Sequence, residues 1–212
     1  MLGVYNYMAA GLAVSGIIAY FVSSSPAILT TIYTNTALTW MVMLAPLAFI
    51  LAISFGIRKM KASTVQALYW AFAVTMGISL SSIFVVYTSA SIARVFFITA
   101  ATFGAMSLYG YTTKKDLTGW GSFLFMGLIG IIIASVVNFF MASALLDFAI
   151  SVIGVLVFVG LTAYDTQKIR NEYSEFDSGE VATKKSVYGA LRLYLDFINL
   201  MMMLLRLFGN RR

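Results

Sequence analysis

The sequence predicts an all-α, polytopic membrane protein, and three observations carry that prediction. Hydrophobic residues fill 61% of its 212 positions and charged residues only 10%, against roughly 25% charged in a soluble domain. The apolar residues gather into seven runs, each near the ~20 residues that a helix needs to cross the hydrocarbon core. Most of the basic residues fall in short clusters between those runs. Mean hydropathy is +0.92.

The runs follow in order. Tyr5–Ser23 opens the chain with no positively charged n-region and no Ala-x-Ala site ahead of it, so it reads as a retained span rather than a cleaved signal. Ala37–Ile57 ends at Arg58-Lys59-Met60-Lys61, and Val65–Tyr87 starts just beyond that cluster. Ile92–Thr112 runs up to Lys114-Lys115, and Trp120–Met141 leaves from there. Leu145–Tyr164 ends at Asp165, and Val187–Phe208 holds Asp196 within it. Two prolines, sixteen glycines and short connections leave no room for a separate soluble domain, so residues 1–212 are expected to form one bundle.

Charge placement sets an expected orientation. Arg58-Lys59-Met60-Lys61, Lys114-Lys115 and a segment with Lys168, Arg170, Lys184 and Lys185 share one side. The opposite connections, Ser24–Thr36, Thr88–Ser91 and Ala142–Ala144, carry no basic residue. By the positive-inside rule the basic side and the N-terminus are cytoplasmic. Seven crossings then leave Arg211 and Arg212 outside, against that rule. Either the tail is an exception or the last segment re-enters without crossing.

The longest connection, Gln167–Ser186, is polar and mixed in charge (Glu172, Glu175, Asp177 and Glu180 among its acids) and reads as a solvated cytoplasmic loop without the alternating oxygen ligands of an EF-hand. Gly104, Ala105, Gly127 and Gly130 read as close helix packing. Asn138 and Asn199 read as interhelical hydrogen bonds, and Met201-Met202-Met203 as adaptable core or lipid contact.

Composition also excludes much. With no cysteine and no histidine there is no disulfide, no Cys/His metal site, no His-ligated haem and no Ser–His or Cys–His nucleophile. The net charge of +6 is a topology signal and does not point to nucleic acid. No enzymatic activity and no resident cofactor are expected.

Two aspartates stand out against this background. A carboxylate deep in a span costs at least ~2.5–3.5 kcal/mol to insert, and it usually faces a bundle interior and marks an ion or proton path. Asp165 closes the sixth run on the basic side. Asp196 lies about nine residues into the seventh, roughly 13 Å from that side. Two carboxylates meeting in a poor dielectric cannot both stay ionised cheaply, so such a pair tends to share a proton. Deprotonated, it repels, recruits an arginine or takes a divalent cation; calcium, a hard ion, suits carboxylate and carbonyl oxygens. Arg192, four residues before Asp196, and Arg58 at the end of the second run are the cations in reach. The plainer alternative is an Arg192–Asp196 ion pair within one helix, with Asp165 an ordinary helix-end residue.

Four segments, Gly77-Ile78-Ser79-Leu80-Ser81-Ser82-Ile83-Phe84, Phe103–Leu117, Thr162-Ala163-Tyr164-Asp165-Thr166-Gln167 and Leu193–Leu200, extend across nearly the whole chain. In sequence and order they resemble the Bax inhibitor-1 (transmembrane Bax-inhibitor-motif) family, nearest to its bacterial branch. The resemblance implies seven helices, with two layers of three around a central C-terminal helix, in the bacterial inner membrane. It implies a pH-sensitive calcium leak in which Asp165 and Asp196 form the sensing pair and ion site. Arg58 matches the arginine that latches the first aspartate. Some relatives carry a glutamate in the second helix; here only apolar residues and Ser54 lie between Trp40 and Gly56.

A second function class remains open: a non-transporting regulator that binds a membrane-anchored ATP-dependent protease or another membrane partner, as some bacterial relatives do. A third, an intramembrane aspartyl protease, would use the two aspartates as acid and base. It lacks support, since Leu193-Tyr194-Leu195 stands where that family has Gly-Leu-Gly and no Pro-Ala-Leu follows. A retinal protein is excluded, because the seventh run has no interior lysine.

Overall fold

The structure, a computed structural model, describes residues 1–174 and 176–212. Glu175, one of the acids in the long connection, lies outside the described residues. The described residues form eight α-helices: α1 (Leu2–Ser23), α2 (Pro26–Thr34), α3 (Thr36–Gly56), α4 (Ala62–Val86), α5 (Ser89–Thr112), α6 (Thr118–Met141), α7 (Ala144–Glu172) and α8 (Gly179–Phe208). All but α8 and the short α2, six in number, are long and apolar enough to cross a membrane.

Two expectations about the connections need correcting. The segment Ser24–Thr36 is not a loop. Pro26 starts α2, where its missing N–H costs nothing, and Thr30, Thr31 and Thr34 return their hydroxyls to carbonyls one turn back. Asn35 then caps α3 by accepting from Ala37 N and Leu38 N at 3.0 and 3.3 Å. The long connection Gln167–Ser186 is mostly helix too. α7 continues to Glu172 and α8 starts at Gly179, because polar residues can extend a helix once it has left the apolar layer. Asp165 is therefore an interior residue of α7, not its end.

The chain divides into two compact units. One comprises Met1–Tyr87, Glu172–Tyr194 and Arg212; the other comprises Thr88–Asn171 and Leu195–Arg211. In the first unit α1 and α3 both pack along α4, with α2 against α1 and α3. The buried face of α1 is Val4, Met8, Gly11, Ser15 and Ala19, a helical stripe of three- and four-residue steps. It meets Tyr69, Ala73 and Gly77 of α4 so closely that a Cβ on Gly77 would lie 2.7 Å from the Ser15 carbonyl oxygen. The start of α8 joins this unit through Tyr194, whose hydroxyl donates to Ser15 Oγ at 2.7 Å and whose ring meets Phe72 edge-on at 5.0 Å. Ser15 Oγ in turn donates to the Ala73 carbonyl at 2.7 Å.

In the second unit the buried stripe of α5 is Ser91, Val95, Thr99, Phe103, Ser107 and Gly110. The end of α8 packs here: the Phe197 ring sits 5.6 Å from both Phe96 and Phe103, and Met203 lies where a Cβ on Gly154 would come to 2.9 Å. Met201 and Met203 are buried, so this methionine run is core, within the reading made from sequence. α3 and α6 bury few residues and turn large apolar side chains outward, Phe55 at 82% and Phe140 at 80% exposure, as lipid-facing helices do.

The glycine and asparagine expectations are only partly met. A Cβ on Gly127 would touch Val157 at 3.0 Å, but Gly104 and Gly130 face open space. Asn138 Oδ1 accepts from Ser143 N at 3.0 Å, closing the turn where Ala142 adopts a left-handed conformation (φ 50°). Asn199 Nδ2 donates to the Leu195 carbonyl of its own helix at 2.8 Å. Both asparagine bonds are local rather than interhelical.

Candidate functional site

The candidate site lies in the second unit, on α7. From Thr162 to Gln167 the helix is polar and buried almost without a break, with Thr162, Asp165, Thr166 and Gln167 all enclosed. Such a stretch survives in a span only if its polar atoms are satisfied. Thr162 Oγ1 donates to the Phe158 carbonyl at 2.8 Å, and Thr166 Oγ1 and Ser107 Oγ of α5 are 3.0 Å apart. The Gln167 amide is held at both ends: Oε1 accepts from Leu117 N and Nε2 donates to the Lys115 carbonyl, each at 2.8 Å. Arg170 Nη1 donates to the Tyr111 carbonyl just beyond.

Backbone proximity makes these bonds possible. A Cβ on Gly110 would sit 2.2 Å from the Ala163 carbonyl oxygen, so α5 and α7 touch main chain to main chain beside Asp165. The carboxylate is thus carried on a segment fixed on both flanks. Asp165 is 7% exposed.

Asp196 is 6% exposed and lies on α8 beside Phe197, whose ring meets Phe96 and Phe103 edge-on. Its Oδ2 is sealed from solvent. α8 begins at Gly179, so Asp196 lies 17 residues along it, about 26 Å from its start. The two aspartates of the sequence analysis therefore share one compact unit, and both are interior. Arg58 and Arg192 belong to the other unit. Arg58 follows α3 and is exposed, while Arg192 is half-buried, one turn of α8 before Asp196. Asp165, Arg192 and Asp196 are each engaged by their surroundings.

Among the described residues no group of three or more carboxylate, histidine or cysteine side chains converges as a metal cage. A hard cation at Asp165 and Asp196 would need hydroxyl, carbonyl or water oxygens to complete six to eight ligands. Ser107, Thr166 and Gln167 went unassigned in the reading of individual side chains. Their signal was present as two polar residues directly after Asp165, but Ser107 lies 59 positions from Thr166 and no spacing rule joins them.

A family model described as "Inhibitor of apoptosis-promoting Bax1" matches residues 1–212. The chain is 49% identical over 214 residues to "Inner membrane protein YbhL" of Escherichia coli strain K12, covering 100% of this chain and 92% of that one. It is 48% identical over 222 residues to an uncharacterized protein of Caulobacter vibrioides, covering 100% and 88%. It is 49% identical over 212 residues to the uncharacterized protein RP147 of Rickettsia prowazekii, covering 100% and 89%.

Proposed function

Because the chain belongs to the Bax inhibitor-1 family, we propose that it is a pH-sensitive calcium leak channel of the bacterial inner membrane. In this reading Asp165 and Asp196 form the gate and ion site, and Arg58 is the latch. The observation that carries it is the burial of both carboxylates within one unit of a membrane protein. Burying charge is expensive, and the expense is tolerated where the charge is used. Sharing a proton relieves the repulsion of two enclosed carboxylates; losing it recruits a cation. A latch from Arg58 to Asp165 rests on the family pattern and on Arg58 standing at the end of an otherwise cation-free α3.

The reading includes seven crossings with the basic connections and N-terminus cytoplasmic. Support comes from the first unit, where Glu180 at the start of α8 and Arg212 beyond its end bond to opposite ends of α4. At the start Ala62 N donates to Glu180 Oε1 at 3.2 Å, and at the finish Arg212 N donates to the Val86 carbonyl at 2.9 Å. Bonds to both ends of α4 support a full crossing by the segment between Glu180 and Arg212 over re-entry. A central place for α8 is supported by its burial, nearly continuous from Val187 to Leu205.

Calcium entry into vesicles containing only this protein tests the proposal. Flux above that of empty vesicles is expected, and Arg58→Ala should raise it near neutral pH, where the latch opposes ionised carboxylates. Absence of flux at every pH would remove the channel and leave a regulator acting on a membrane partner, with a membrane-anchored ATP-dependent protease as the candidate. A leak raised by Arg192→Ala but not by Arg58→Ala would move the latch to Arg192.

A further inference from the structure

A groove in the second unit has no part in the carboxylate chemistry. It lies among α5, α6 and α7, has a volume of about 620 Å³, and is lined among others by Lys115, Trp120, Gly127, Ile153, Val159 and Tyr164. That volume falls in the range of sites for small ligands, roughly 300–1,000 Å³. Glycines set the approach of α6 to α7 beside the groove. A Cβ on Gly121 would strike the Tyr164 ring at 2.4 Å, one on Gly160 would strike Leu124 at 2.7 Å, and one on Gly127 would touch Val157 at 3.0 Å. These contacts hold α6 close against α7 along one wall of the groove.

Length, lining and charge point to one occupant. Along α7 the lining runs from Ile153 to Tyr164, eleven helical steps or about 16 Å. Half of a ~30 Å hydrocarbon core is about 15 Å, so the groove is as deep as one leaflet. Its walls are apolar, and its mouth carries Trp120 and Tyr164, residue types that favour the level of the headgroups. Lys115 lines the mouth with Lys114 next to it, and Lys168 Nζ lies 5.9 Å above the Tyr164 ring. The acid at the mouth, Asp116, is committed to the first turn of α6, accepting from Thr118 N at 2.9 Å and from Thr118 Oγ1 at 2.6 Å. Those bonds hold its carboxyl below the usual carboxylate range. A lysine-rimmed mouth over an apolar, leaflet-deep groove matches an anionic headgroup above a single acyl chain.

We infer that this groove is a binding site for an anionic phospholipid, with one acyl chain along α7 between Tyr164 and Ile153 and the phosphate headgroup at Lys115 and Lys168. The inference does not rest on the calcium reading.

The natural reporter is Trp120. The chain has three tryptophans, so Trp40→Phe with Trp70→Phe leaves a single indole in the groove. That variant is reconstituted into phosphatidylcholine vesicles carrying a minor fraction of brominated phosphatidylglycerol or, in parallel, brominated phosphatidylcholine. A basic residue at the membrane surface favours an anionic lipid about fivefold. Quenching of Trp120 by the brominated anionic lipid should therefore be at least about fivefold stronger. Lys115→Gln with Lys168→Gln should bring the ratio to about one. Val159→Phe, which fills the groove from a half-buried position, should weaken quenching by the anionic lipid while leaving the lysines in place. Equal quenching by the two lipids in the parent would overturn the inference. So would a preference that survives the lysine changes, or one indifferent to Val159→Phe, since the chain would then lie outside the groove.

Discussion

Gly110 and Gly104 are six residues apart on the same helix, yet they answer to different physics. A Cβ at Gly110 meets main-chain atoms of Ala163, which cannot swing aside, whereas one at Gly104 meets nothing within 4 Å. Gly110→Ala should cost about 1–3 kcal/mol, the range for forcing extra volume into a packed contact. Gly104→Ala should be neutral or stabilising by about 0.5–1 kcal/mol, because glycine is the poorer helix former. Thermal unfolding of the two variants in detergent, side by side, checks both signs. Sequence could not separate these glycines, because composition shows that a span is rich in small residues but not which face meets a neighbour. It pointed to Gly127, which packs against Val157, but also to Gly104 and Gly130, which face open space, and it passed over Gly110, Gly121 and Gly160 as packing positions. The aspartates were legible for the opposite reason: a charge inside an apolar run is costly wherever it points.

The turn between α7 and α8 is held by one ammonium group. Lys185 Nζ donates to the Glu172 carbonyl at 2.8 Å and to both oxygens of Asp177, at 2.9 and 2.7 Å. The bond from Lys185 holds the Asp177 carboxyl below its ordinary value of 3.8. A carboxylate whose folded value is lowered stabilises the fold above its unfolded value and loses that contribution as pH falls through the folded one. Protection of the amides in the first turns of α8, with the intrinsic exchange rate divided out, should therefore fall as pH drops below about 4. Lys185→Met should lower it already at neutral pH, and Asp177→Asn should remove the added acid sensitivity. If neither change alters protection, the clamp does not hold the turn. The sequence reading took this region for loop because apolarity stops at Tyr164 and resumes at Val187. Apolarity reports where lipid is, not where a helix ends. Here i,i+4 pairing such as Glu180 with Lys184 at 3.5 Å accompanies the helix past the apolar run.

At the scale of the whole molecule, the apolar runs located six helices able to span and the polar connections between them, while α2 escaped notice as a short helix between two spans. The proposed seven crossings make a direct prediction. A reporter fused after Lys115 should read as cytoplasmic and one fused after Arg212 as external; a cytoplasmic reading after Arg212 would restore the re-entrant alternative. What apolar pattern could not supply was the long-range bonding of the residues after Asp165, since the pairing of Ser107 with Thr166 comes from folding rather than from spacing. The account as a whole stands on the two buried aspartates acting as a proton-controlled gate, and calcium flux through reconstituted vesicles measured across pH tests that most directly. The wild-type protein should show a pH-dependent flux, and Asp165→Asn and Asp196→Asn, each removing one carboxylate of the proposed proton-sharing pair, should each flatten it. A pH profile unchanged in both variants would contradict the account.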